Sequence, residues 1–281
     1  MKLYKKPEFT KKIVIVLFII LAVITAGCIL GNNILTVDRY EFYTKKAGDA
    51  DGFKIVQISD LHNASFGSDN KRLIEKIKAQ YPDIIVITGD IVDSNHTDIQ
   101  IAVDLCREAV NIAPCYYVSG NHELWLTDEE HEELYSGMND AGVHILENES
   151  IDFDNGITLT GLNDESLYDG TLSALSAEIP DDRLNILLAH EPQYLEEEYA
   201  PCQPDFVIAG HAHGGQIRLP FIGGLVAPDQ GFFPKYTAGE YKSGKTTMYV
   251  SRGLGNSVIP VRVFNTPEIN VLIIRQKYPE R

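Results

Sequence analysis

The sequence has few cysteines and few positive charges. Four of its 281 residues are cysteine, and 24 lysines and arginines stand against 40 aspartates and glutamates, for a net charge of −16 at pH 7. Five lysines and one glutamate give residues 1–12 a net charge of +4, which leaves −20 on residues 13–281. A chain with this much negative charge repels the phosphate backbone of nucleic acids unless metal ions mask a local site. We therefore expect no nucleic-acid binding.

The cysteines also exclude two classes of small protein. Cys28, Cys106, Cys115 and Cys202 fit no zinc-finger spacing and are too few for a disulfide scaffold. A Cys106–Cys115 disulfide is conceivable, but we expect these residues to be buried as small apolar side chains. The overall composition, 44% hydrophobic and 23% charged, is typical of a globular domain and excludes a disordered chain or a coiled coil.

One long apolar run stands near the N-terminus. Residues 13–30 contain no charge, and a membrane-spanning helix needs about 17–25 such residues. Because lysines precede the run and acidic residues follow it, we expect a cytoplasmic tail over 1–12, a transmembrane anchor over 13–31 and an extracytoplasmic domain. Residues 25–28 (TAGC) loosely resemble a lipoprotein cleavage site, so a lipid anchor at Cys28 is the alternative.

The rest of the chain has the pattern of an α/β domain. Residues 32–52 are interpreted as a polar linker, and from residue 53 short apolar runs alternate with amphipathic stretches. We expect one domain over 53–281 with two packed sheets and helices outside them. The predicted strands are 53–59, 83–89, 115–120, 157–162, 185–190, 205–210, 246–251 and 269–274, and the predicted helices are 70–80, 98–112 and 128–141.

Polar side chains follow each of the strongest predicted strands. Because the carboxyl ends of strands in a layered α/β sheet meet at one edge, we expect these side chains to lie together. The candidate ligands are Asp60, His62, Asp90, Asn121, His190, His211 and His213. Imidazole, carboxylate and amide groups together suit divalent Mn, Fe, Zn or Ni. Seven ligands exceed the needs of one ion, whereas two ions sharing a carboxylate use them well and are a standard device for cleaving phosphate esters.

The order of these motifs resembles a known family. Asp-x-His, Gly-Asp-x-x-Asp, Gly-Asn-His-Glu, a later His and Gly-His-x-His are similar to the five blocks of the calcineurin-like metallophosphoesterases, over residues 53–275. The resemblance implies a four-layer sandwich, two mixed β-sheets flanked by helices. Residues 210–231 and 251–257 resemble the membrane-anchored bacterial branch, whose members are described as phosphodiesterases or UDP-2,3-diacylglucosamine hydrolases.

The resemblance also implies roles for individual residues. One ion would be held by Asp60, His62, Asp90 and His213, and the other by Asp90, Asn121, His190 and His211, with Asp90 bridging. His122, next to a ligand, would be the general acid for the leaving group. Asn63, Arg218 and Arg252 are candidates for contacts with the substrate, and Asp93 is expected to lie behind the ligands or at the surface.

These inferences define three hypotheses for the function. The first is a membrane-anchored phosphodiesterase with two divalent metal ions, which hydrolyses a phosphate ester with a water activated between the ions. The second is a pyrophosphate hydrolase acting on a lipid-linked nucleotide sugar. The third is a metal-bearing binding module without catalytic activity, although all five motif blocks are intact in this chain.

Overall fold

The computed structural model describes residues 8–256 and 260–278. Residues 1–7 of the expected cytoplasmic tail, and residues 257–259 and 279–281 of the expected domain, lie outside the described residues. The helices are α1 (Glu8–Asn33), α2 (Lys71–Lys78), α3 (Ile99–Val110), α4 (Asn121–Leu124), α5 (Asp128–Ala141) and α6 (Thr171–Ala177).

Two six-stranded mixed sheets form the centre of the domain. The first has the order β1-β16-β2-β3-β4-β5, in which β2 to β5 are parallel and β16 is antiparallel to β2. Its strands are β1 (Thr36–Thr44), β2 (Lys54–Ile58), β3 (Ile84–Thr88), β4 (Cys115–Val118), β5 (His144–Ile145) and β16 (Glu268–Gln276).

The second sheet faces the first and has the order β14-β15-β9-β8-β7-β6. Its strands are β6 (Glu149–Asp152), β7 (Ile157–Gly161), β8 (Leu184–Leu188), β9 (Phe206–Ala209), β14 (Gly239–Ser243) and β15 (Thr246–Val250). Two short hairpins lie between β9 and β14, built from β10 (Arg218–Leu219), β11 (Gly223–Gly224), β12 (Val226–Ala227) and β13 (Gly231–Phe232).

The layers are held together by apolar side chains from both faces of each sheet. Residues such as Ile55, Val86 and Ile208 fill the space between the sheets, and α2, α3 and α5 cover the outer face of the first sheet. Because parallel strands buried on both faces lack polar alternation, β3 is almost entirely apolar, and the interiors of β2 and β8 are each interrupted by a single buried polar residue, Gln57 and Asn185. The predicted α/β sandwich of two mixed sheets with helices is confirmed.

Residues 32–52 are not only a linker, because they contain β1. This edge strand pairs in parallel with β16 along its whole length. Phe42 is buried and its ring stacks on Phe206 with centroids 4.6 Å apart, while Arg39 and Glu41 on the opposite face are exposed. The charged side chains on the exposed face hide the strand pattern, and only pairing with the distant β16 reveals it.

Helix α1 contains the predicted apolar run. Lys11–Ile29 has a mean hydropathy of 2.8 and is almost entirely exposed, and it is the one helix of the described residues long and apolar enough to cross a membrane. A membrane anchor and a signal sequence both have these properties.

The cysteines have the environment expected from the sequence. All four are free thiols, and Cys106 and Cys115 are buried. Burial raises the pKa of the Cys115 thiol to about 12. Both behave as small core residues.

Candidate metal centre

The seven candidate ligands lie together at one edge of the two sheets. They follow the carboxyl ends of β2, β3, β4, β8 and β9, as the strand pattern predicted. Their donor atoms form two buried groups, each within 4.8 Å, one of Asp60, His62, Asp90 and His213 and the other of Asp90, His190 and His211. Asn121 completes the second group, because its Oδ1 lies 3.2 Å from His190 Nε2.

The first group is built around His62. Its Nε2 lies 3.4 Å from Asp90 Oδ2 and 3.1 Å from His213 Nε2. His213 Nε2 is in turn 3.6 Å from Asp60 Oδ1. Four donors from three separate segments, the loops after β2, β3 and β9, therefore face one small volume.

The second group is built around His190, whose Nε2 lies 3.2 Å from Asp90 Oδ2 and 3.1 Å from His211 Nδ1. The Nδ1–H of His190 donates to the Thr88 carbonyl oxygen at 2.8 Å, so the Nε2 lone pair points to the site. Asp90 Oδ2 is thus close to both groups, which is the geometry of a bridging carboxylate.

The backbone at these ligands is unusual. Asp60, His62, Asp90, His211 and His213 all have positive φ, between 44° and 66°. Aspartate and histidine adopt this left-handed conformation more easily than most residues, but each instance still costs free energy. Five ligands with strained backbone at one edge indicate a functional site, where the packing of the surrounding structure holds the strained conformations.

Two glycines allow the segments to approach each other. A Cβ atom on Gly120 would lie 2.5 Å from Asp90 Oδ1, and one on Gly89 would lie 2.5 Å from His190 Nδ1. Any larger residue would therefore push apart the loops that carry Asp90 and His190.

Glu123, for which the sequence suggested no role, fixes the Asp90 loop. Its carboxylate is fully buried and accepts the backbone N–H groups of Asp90 at 2.8 Å, Ile91 at 2.9 Å and Gly120 at 2.7 Å, with Val92 at 3.3 Å. Satisfying four backbone donors with one side chain is a strong constraint on the turn after β3.

The field at the site favours positive charge near Asp90. Burial alone would raise the pKa of Asp90, but the imidazoles of His190 and His62 hold it well below its usual value. Burial likewise opposes protonation of His190, yet Asp90 and Asp60 raise its pKa well above the usual value. In the first group burial dominates and lowers the pKa of His62 to about 4, so this imidazole is neutral and able to bind a cation near pH 7.

Two further side chains position the histidines. The Nε2–H of His211 donates to Asp229 Oδ2 at 3.0 Å, which leaves Nδ1 directed at His190. Arg262 is buried, donates to the Arg252 carbonyl oxygen at 2.7 Å and places Nη2 3.4 Å from His213 Nδ1. Both residues come from loops far along the chain, and no local sequence pattern marks them.

His122, the predicted general acid, packs beside the first group. Its ring lies edge-on to the ring of His62 with centroids 4.5 Å apart. His122 Nδ1 accepts the Ser94 N–H at 3.1 Å, so a neutral ring carries its proton on Nε2. Asp93 Oδ1 lies 3.7 Å from the same Nδ1.

The candidate substrate residues have protein partners of their own. Asn63 Nδ2 donates to the His96 carbonyl oxygen at 2.6 Å, and Arg218 donates to the Gly214 carbonyl oxygen at 2.7 Å. Arg252 forms an ion pair with the buried carboxylate of Glu268. Their contact with a substrate stays a prediction.

The residues present fit a pair of divalent cations. Asp60 Oδ2 is buried and has no hydrogen-bond partner among the described residues, an arrangement that is costly unless a cation lies beside it. The nitrogens of His62 and His213 face each other at 3.1 Å, where a shared cation is the natural partner. Mixed nitrogen and oxygen donors suit transition metals better than calcium or magnesium.

The sandwich of mixed sheets and the buried His/Asp groups at its edge are those of a metal-dependent phosphoesterase. The family profile described as calcineurin-like phosphoesterase matches residues 53–215, and the chain belongs to this family of metallophosphoesterase enzymes.

Individual relatives agree with this assignment. The uncharacterized metallophosphoesterase YkuE of Bacillus subtilis is 38% identical over 244 residues, which cover 80% of this chain and 80% of YkuE. Phosphodiesterase YaeI of Escherichia coli is 29% identical over 232 residues, covering 78% of this chain and 81% of YaeI. A crystal structure of a dimetal phosphatase from Danio rerio has a TM-score of 0.50 at 11% identity, covering 72% of this chain and 88% of that one, which shows the same fold.

Proposed function

We propose that this chain is a membrane-anchored phosphodiesterase that works with two divalent transition-metal ions. The observation that carries the proposal is the position of Asp90 Oδ2, 3.4 Å from His62 Nε2 in one buried group and 3.2 Å from His190 Nε2 in the other. Asp60, His62, Asp90 and His213 would hold one ion, and Asp90, Asn121, His190 and His211 the other. When bound, such a pair lowers the pKa of a water and neutralises phosphoryl oxygens.

His122 would serve the leaving group. It is buried between His62 and Trp125, and Ser94 and Asp93 fix its Nδ1 side. A proton on Nε2 would pass to the leaving oxygen of an ester bound at the ligand edge.

The charges around the site favour a diester over a monoester. Glu191 and Asp229 lie with His211 beside the second group, and Arg252 is already paired with Glu268. A diester carries one negative charge on phosphate and a monoester about two, so these two carboxylates repel the monoester more strongly. The printed name of YaeI agrees with this choice.

Turnover of two matched esters tests the proposed activity. We expect the full chain, loaded with Mn²⁺ in detergent, to hydrolyse bis(p-nitrophenyl) phosphate faster than p-nitrophenyl phosphate, and the Asp90→Ala variant prepared in parallel to hydrolyse neither. A faster monoester reaction would contradict the phosphodiesterase proposal. If Asp90→Ala kept the full activity, the turnover would be assigned to a contaminant.

The anchor and its orientation are part of the proposal. Helix α1 supports the anchor by its length and exposure, and the lysines before residue 13 support a cytoplasmic N-terminus. Protease added to intact protoplasts should then digest the domain. Protection of residues 53–278 until the cells are lysed would reverse the orientation.

A further inference from the structure

Five large apolar side chains stand out from the two short hairpins and the loop beside them. Phe221 is fully exposed, and Phe232 and Phe233 are 82% and 71% exposed. Ile222 and Phe264 are exposed at 59% and 46%. We call these five residues the aromatic rim. Several large apolar side chains exposed on neighbouring loops are typical of an interaction site in a water-soluble domain.

The tips of the rim have a backbone that bulky residues rarely adopt. The N–H of Ile222 donates to the Leu219 carbonyl oxygen at 3.2 Å, which closes a turn with Phe221 at its third position and a φ of 69°. Glycine or asparagine is favoured there. Phe233 and Phe264 also have positive φ, of 55° and 52°. A fully exposed phenylalanine in a strained position gains nothing from water, so its presence points to a contact outside the domain.

Helix α1 ends against one residue of the rim. A Cβ atom on Gly27 would lie 2.9 Å from the Phe264 ring, so the helix and this ring are in close contact. Asn32 Oδ1 accepts the Arg262 backbone N–H at 3.3 Å and a side-chain N–H of Asn256 at 3.0 Å. The last turns of the helix are therefore fixed to the loop that carries Phe264.

The same loop is joined to the hairpins. Ile217 and Val263 form a parallel β-bridge, and the Arg218 N–H donates to the Val263 carbonyl oxygen at 3.0 Å. The Phe233 N–H donates to the Leu225 carbonyl oxygen at 2.9 Å, which connects the second hairpin to the first. The end of α1 and all tips of the rim thus belong to one hydrogen-bonded surface.

This surface lies at the metal-binding edge of the sandwich. Strand β1, which follows α1, begins with Thr36 opposite Glu268, and β16 runs from there antiparallel to β2. The start of β1 therefore lies at the end of β2 that leads to Asp60. A chain emerging from a membrane through α1 enters the domain at the edge that carries the metal ligands.

We propose that the aromatic rim lies in the interfacial layer of the bilayer that α1 crosses and holds the metal-binding edge against the lipid surface. The inference rests on the proposed anchor. The local charge is compatible with contact between this segment and lipid headgroups. Residues 216–235 contain two cations, Arg218 and Lys235, and one carboxylate, Asp229, although the chain as a whole has a net charge of −16. A phosphoester in the lipid headgroup layer would then reach the site without leaving the membrane surface.

Quenching of a single tryptophan by brominated lipid tests this contact. Trp125 is the only tryptophan of the chain, so the full chain with Trp125→Phe accepts one reporter at a time. Phe221→Trp and Phe233→Trp report on the rim. Tyr81→Trp is the matched control, because Tyr81 is 78% exposed and precedes β3, at the opposite edge of the sheet. The proteins are reconstituted in phosphatidylcholine vesicles brominated near the headgroup end of the acyl chains.

We expect loss of emission from the Phe221→Trp and Phe233→Trp variants and none from the Tyr81→Trp variant. Emission from both rim variants equal to that of the control would overturn the inference. Carbonate extraction of the unaltered chain from the same vesicles separates the two failures. Release of the chain would overturn the anchor and this inference with it, whereas retention with unquenched rim variants would overturn the inference alone.

Discussion

The Nε2–H of His211 donates to Asp229 Oδ2 at 3.0 Å. This hydrogen bond lowers the pKa of Asp229, so its carboxylate is ionised, and it fixes the tautomer that turns the Nδ1 lone pair of His211 toward His190. Asp229 lies on the exposed side of the ring, in the turn of the second hairpin between β12 and β13, and supports a candidate ligand from another loop.

Replacing Asp229 should weaken the second metal. We expect Asp229→Asn to lower the affinity of the site for that ion by roughly 10–100-fold, because a neutral amide in place of the carboxylate makes the His211 imidazole a weaker metal ligand. Equilibrium dialysis followed by elemental analysis measures the change. Asp154→Asn, at an exposed turn before β7, is the control and should bind as the parent does. Equal affinities in the two variants would remove Asp229 from the site.

Loss of Asp90 should differ in kind from loss of His213. Asp90 belongs to both donor groups and His213 to one. We therefore expect Asp90→Ala to lower the occupancy of both ions and His213→Ala to lower mainly one. Metal content per chain after dialysis against limiting Mn²⁺ distinguishes the two outcomes. One ion bound to Asp90→Ala with parental affinity would show that Asp90 does not bridge.

His122 should affect the reaction and not the metals. We expect His122→Ala to retain normal metal content and to lose about 10²–10⁴ in kcat, since a positioned acid contributes that much. The loss should grow as the leaving group becomes a poorer anion, because p-nitrophenolate needs little protonation and an alkoxide needs much.

A series of diesters with leaving groups of rising pKa measures this dependence. A steeper decline in His122→Ala than in the parent supports the acid role. Equal slopes would assign His122 to charge stabilisation, and an unchanged kcat for every ester would exclude it from the reaction.

Replacing Glu123 by its neutral isostere glutamine should lower the stability of the fold. In Glu123→Gln an NH₂ group must face two backbone N–H donors, which leaves buried donors without acceptors. We expect the free energy of unfolding in the presence of chelator to fall by at least about 2 kcal/mol. Glu130→Gln, in the exposed capping box of α5, is the control and should cost less. Urea unfolding of both proteins measures the difference, and equal losses would contradict this role of Glu123.

Much of the fold and the ligand set follows from the local sequence. The buried parallel strands are short apolar runs, and Asp60, Asp90 and His211 come directly after them, so the sheet edge brings them together. Strand β1 escaped prediction because its exposed face carries Arg39 and Glu41, and its partner β16 lies more than 200 residues away.

The residues that support the ligands could not be predicted for the same reason. Asp229 and Arg262 act through His211 and His213 across loops whose course depends on tertiary packing. Arg252 looked available for a substrate in the sequence, yet it pairs with Glu268, which lies at the start of β16. Only the folded chain shows which arginine and lysine side chains are already paired with carboxylates of the protein.

Anomalous diffraction from crystals of the Mn²⁺-loaded protein tests the dinuclear site most directly. Two peaks about 3.5–4 Å apart are expected, with Asp90 between them. One peak should lie among Asp60, His62 and His213, and the other among Asn121, His190 and His211. A single peak at full Mn²⁺ saturation, or two peaks that do not share Asp90, would contradict the bridged pair.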